Sequence, residues 1–137
     1  MELSNNEEQK EEVQGWLTKL EETVKIEEGY NHVMSGRFVE GLAVLEPYED
    51  DARFNTWWPL WFYLGTAHLA MGDADRAEAD FLHVLQLSPS NLEAMDELVK
   101  IYKEKGDQTK VEKYEKKIAV VKHNMELDQA EKKSTLS

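Results

Sequence analysis

The segment Gly29-x-x-His32-x-x-x-Gly36 recurs 36 residues later as Gly65-x-x-His68-x-x-x-Gly72, and a third copy follows at 34, where Tyr102 and Gly106 take the places of His68 and Gly72. A period near 34 residues is that of a helix-turn-helix unit, and it is too long for leucine-rich repeats. Units of this size bury little alone, so such a chain must stack them into a continuous core.

Helical spacing runs through the chain. Val13, Trp16, Leu17, Leu20 and Val24 recur at steps of three and four, with acids between them, which predicts a first amphipathic helix from about residue 7. Ile26, Tyr30, Val33 and Met34 are expected to continue the same apolar face to the stop at Ser35-Gly36, and Gly15 to weaken it locally.

A short second helix carries Phe38, Leu42 and Leu45 and ends at Pro47, before a charged loop, YEDDARFNT. Asn55 or Thr56 is placed to cap a third helix ending near Met71, with Pro59 in its first turn. A fourth helix spans about Asp75 to Leu87. A fifth, capped by Ser90 or Asn91, runs to Lys105-Gly106, and a sixth starts near Gln108. No strand-like alternation is bounded by turn signals, so the expected class is all-α, with about six helices and a polar tail over residues 127–137 that frays.

In residues 58–91, Trp61, Leu64, Gly65, Ala77, Phe81 and Pro89 stand at spacings that resemble the tetratricopeptide repeat family, with His68 and Val84 as departures. Units over about 22–57 and 92–125 are more degenerate: Lys25 holds the tryptophan slot of the first, and Val99 and Glu115 depart in the last. The acidic residues before them read as a helical extension. The resemblance implies antiparallel helix pairs stacked as a short superhelix in one domain, residues 1–126, and a non-enzymatic adaptor that binds a partner peptide or helix in a concave groove.

Carried over position by position, the resemblance puts Ile26, Tyr30 and Val33 of the first unit, Phe62, Thr66 and Leu69 of the second, and Asp96, Lys100 and Lys103 of the third in that groove. Trp61, Leu64, Gly65, Ala77, Phe81 and Pro89 are structural positions. Phe62 and Thr66 stand where chaperone-binding relatives place carboxylate-clamp residues, so a clamp is not expected. A secretion-type or assembly chaperone using the same groove is the alternative. Trp57 and Trp58 have two readings, a plug over the truncated second helix or an exposed anchor through which two copies pair.

Charge and composition narrow the partners. Residues 1–99 hold 21 acids against 6 Lys and Arg, a net −15, while residues 100–137 hold 10 Lys against 7 acids, a net +3. The acidic body repels phosphate backbones, so nucleic acid is not expected, and the partner that the resemblance implies is another protein. Without cysteine there is no disulfide and no thiolate metal site. The four histidines lack the companion ligands of a zinc site, and neither a phosphate loop nor a nucleophile elbow is found, so no metal, cofactor or catalysis is expected. With no membrane-length apolar run and no secretory leader pattern, the expected location is cytoplasmic, away from membranes.

Overall fold

The computed structural model describes residues 2–136, with side chains over 7–133. The described residues contain no strand; six helices pack against one another, as the helical periodicity requires. They are α1 (Glu2–Met34), α2 (Phe38–Leu45), α3 (Trp58–Ala70), α4 (Ala74–Leu87), α5 (Leu92–Lys105) and α6 (Gln108–Leu136), with a 3-10 turn over Glu46–Asp50.

Three hairpin turns repeat the sequence period in backbone geometry. Gly36, Gly72 and Gly106 have φ of 84°, 84° and 75°, a region that L side chains enter only with strain. At each, the glycine N–H donates to the carbonyl three residues back, Val33, Leu69 or Lys103, and the next N–H reaches five back, to His32, His68 or Tyr102. This double closure satisfies carbonyls that a helix end otherwise leaves open. The chain then reverses, pairing α1 with α2, α3 with α4 and α5 with α6.

Pairing is tightest where side chains are missing. A Cβ on Gly65 would meet the Phe81 ring at 3.0 Å, and one on Gly41 would meet Val33 Cγ2 at 2.5 Å. The core has two clusters. One is built from Ile26, Val33, Leu42, Leu45, Phe54, Leu60, Leu64 and Ala67, the other around Phe81, Leu98, Ile101 and Tyr102, and Trp61 packs against both.

Several expectations need correction. α1 is continuous through Gly15 and begins at Glu2, and its two apolar stretches do not share a face. Ile26, Gly29 and Val33 are buried against α2, whereas Val13, Trp16, Leu17, Leu20 and Val24 are exposed. The step from Val24 to Ile26 turns the helix by roughly 200°, so the pattern changes sides there. α3 starts one or two residues later than a cap at Thr56 or Asn55 would set it, with Trp57 at its N-cap and no side-chain cap. Asn55 is engaged elsewhere: its Nδ2 donates to the Glu49 carbonyl at 3.4 Å, and its carbonyl accepts from Trp61 Nε1 at 2.8 Å. The charged loop begins as the 3-10 turn, with Pro47 at its first positions. α6 runs to Leu136, so the segment expected to fray is helical over residues 127–136.

Candidate interaction surface

α3 carries the aromatic run, and the spacing of its members sorts them. Leu60, Leu64, Ala67 and His68 turn inward and are buried, while Trp58, Phe62, Thr66 and Leu69 lie one step round and stay half-buried. Trp58 meets Phe62 edge to face at 6.2 Å, and Phe62 meets the buried Phe81 at 5.4 Å. The Thr66 hydroxyl donates to the Phe62 carbonyl at 2.8 Å. A half-covered apolar row on a rigid helix offers contact area without the cost of ordering it.

The nine residues expected in a groove divide into three groups. Ile26 and Val33 are 0% and 2% exposed and belong to the core, because α2 and the following loop close over that part of α1. They cannot line an open groove. Tyr30 is half-buried and stacks on Tyr63 at 4.3 Å, which joins α1 to α3. Phe62, Thr66 and Leu69 form the half-open row on α3. Asp96, Lys100 and Lys103 are exposed on α5, with Lys100 3.2 Å from Glu97 and Lys103 3.6 Å from Glu115.

Trp57 and Trp58 are both half-buried, and they serve different clusters. Trp57 packs on the N-terminal cluster, edge to face with Tyr63 at 6.2 Å, and lines a small cavity with Lys19, Thr23, Arg53 and Phe54. Trp58 packs on the C-terminal cluster. Of the structural positions, Leu64, Gly65, Ala77 and Phe81 are buried, Trp61 stacks on His83 at 3.9 Å, and Pro89 lies exposed just past the end of α4.

Two residues passed over in the sequence matter here. Tyr63 sits inside the aromatic run, and burial, with the Glu27 carboxylate nearby, pushes its pKa up to about 12, so it stays a neutral phenol. Asp80 is buried with its Oδ2 2.6 Å from His68 Nδ1. Burial raises the Asp80 pKa to about 6 against the pull of His68. Together with Glu46, Glu49, Arg76 and Ala79 the pair lines a cavity of about 330 Å³ beside the 3-10 turn. Only the pairing of α3 with α4 brings the two together.

Among the described residues, no group of three or more His, Asp or Glu is placed to hold a metal ion, and no helix is long and apolar enough to cross a membrane. The chain matches no protein-family model and no curated protein.

Proposed function

We propose that this chain is a protein-interaction module of the tetratricopeptide-repeat type, which takes an apolar side chain of a partner peptide or helix on the half-open row Trp58, Phe62 and Leu69. That row carries the reading: large apolar side chains held half-buried on a helix fixed from behind by Phe81. The three hairpin turns at the repeated glycines support the repeat assignment, since each reverses the chain with the same pair of hydrogen bonds. The exposed lysines and Asp96 of α5 favour a partner segment that carries charge beside its apolar anchor. The reading assigns the chain no catalysis of its own.

The test is Leu69→Glu alone and with Phe62→Glu, each checked for helicity and melting temperature before use. Wild type and variants are used as bait against lysate of the source organism. A partner kept by the wild type and lost by a folded Leu69→Glu variant supports the surface. A partner retained by both folded variants removes it.

A further inference from the structure

The first half of α1 carries an apolar stripe that stays exposed among the described residues. Val13, Trp16, Leu17 and Leu20 are 56%, 63%, 42% and 44% exposed. At roughly 100° per residue, the stripe centres about 150° round the helix from the Ile26, Gly29 and Val33 face that meets α2. It therefore points away from the body, and a further repeat docked on the existing core face would leave it bare. Its steps of four and three, from Val13 to Leu17 to Leu20, are those of a helix that packs along another helix.

The flanks of the stripe identify the other helix. Lys10 and Glu21 lie within about 20° of each other on one flank, and Glu12 and Lys19 on the other. All four are exposed and none makes an ion pair among the described residues, although Lys19 also borders the cavity beside Trp57. In an antiparallel pair of identical helices, each flank faces its own copy. An alignment centred between residues 16 and 17 sets Val13 over Leu20 of the second copy, with Trp16 leaning to the Glu12 and Lys19 flank and Leu17 to the other. In that alignment Lys10 is offset from Glu21, and Glu12 from Lys19, by two residues, about 3 Å along the axis, which their long side chains span, and the two-fold axis repeats both pairs.

We propose that two copies of this chain associate through α1, antiparallel about Trp16, as a homodimer independent of the α3 surface. Glu8, Glu11 and Glu22 lie on the opposite side of α1, so the acids that would repel a second copy are turned away. Total burial is on the order of 1,000 Å², the lower end for specific interfaces, which makes the dimer concentration-dependent.

The test uses the full chain in two charge-exchanged forms, Lys10→Glu with Lys19→Glu, and Glu12→Lys with Glu21→Lys. Each makes all four flanking positions one sign, and a one-to-one mixture restores every pair. Sedimentation equilibrium from about 1 µM to about 1 mM covers the range of a weak to moderate dimer. The wild type is expected to be dimeric in the upper part of that range, each variant to stay monomeric there, and the mixture to recover a heterodimer. Helicity equal to wild type checks that the variants fold. A wild type monomeric throughout, variants that associate like the wild type, or a mixture that stays monomeric overturns the proposal. Association that survives Trp16→Ser does so as well, and places the contact elsewhere.

Discussion

His68 Nδ1 lies 2.6 Å from Asp80 Oδ2, a buried contact between adjacent antiparallel helices in which one ring nitrogen is bound and the other, Nε2, has no hydrogen-bond partner. Glu46 Oε1 is 3.8 Å from that second nitrogen, too far for a hydrogen bond. The pair is a polar contact in a predominantly apolar interface.

Replacing Asp80 separates its polar role from its charge. Asp80→Ala leaves both ring nitrogens of His68 unbonded and is expected to cost about 1–3 kcal/mol at neutral pH. Asp80→Asn keeps an acceptor for the ring and is expected to cost less. The wild-type carboxyl titrates higher folded than its ordinary 3.8, at about 6. The folded state therefore binds the extra proton, and the Asp80 contribution to stability rises as pH falls from about 6 towards 3.8. Urea titrations of wild type and Asp80→Asn across that window check this. Equal pH slopes would contradict it.

Two positions on from Glu78, α4 thus carries Asp80, and the two carboxyls titrate in opposite senses. Glu78 accepts from Lys105 at 2.9 Å and from the Tyr102 hydroxyl at 2.8 Å, and the Lys105 bond, followed by that of Tyr102, holds its carboxyl below the ordinary 4.5. Its stabilisation is present above 4.5 and is lost as pH falls through the lower, folded value. Glu78→Gln is expected to lower stability by about 1 kcal/mol at neutral pH, discounted for its partial exposure. The difference from wild type should shrink in acid. A difference that grows in acid would refute the assignment.

Glycines at two places are expected to answer alanine in opposite directions. A Cβ at Gly15 would meet nothing within 4 Å among the described residues, so Gly15→Ala should stabilise α1 by up to about 1 kcal/mol. Gly41→Ala puts a methyl 2.5 Å from Val33 Cγ2 and 3.0 Å from the Gly29 carbonyl, and α1 or α2 must shift. A net loss of about 1–3 kcal/mol is expected. Thermal melts of both variants decide it.

Trp61 Nε1 donates to the Asn55 carbonyl at 2.8 Å, which ties the loop before α3 to that helix. Trp61→Phe keeps a ring to stack on His83 and leaves that carbonyl without its donor. A cost of about 1–2 kcal/mol is expected, with faster amide exchange confined to residues around 51–57. Faster exchange spread over both core clusters would mean that the bulk of the indole matters more than its N–H.

Local chemistry made much of the fold readable. The glycines at 36, 72 and 106 announce the turns because no other residue takes that φ cheaply, and Asn91 caps α5 by accepting from the Ala94 N–H, as its position before Leu92 suggests. What escaped reading depends on the packing of distant elements. His68 and Asp80 are 12 positions apart and meet only once α3 and α4 lie side by side. Spacing shows that Val13 to Val24 form a stripe, yet which side of α1 the body occupies is decided by Gly29 and Gly41, whose missing side chains let α2 approach there. The same closure removed Ile26 and Val33 from the surface.

Two buried clusters meet at Trp61: α1, α2, α3 and Phe54 of the loop before α3 supply the buried residues of one, and α4, α5 and α6 those of the other. In evolutionary terms, such a chain is extendable: duplication or loss of a terminal hairpin alters one cluster and leaves the other intact. Lineages could therefore change the length of the protein while the aromatic row on α3 stayed as it was.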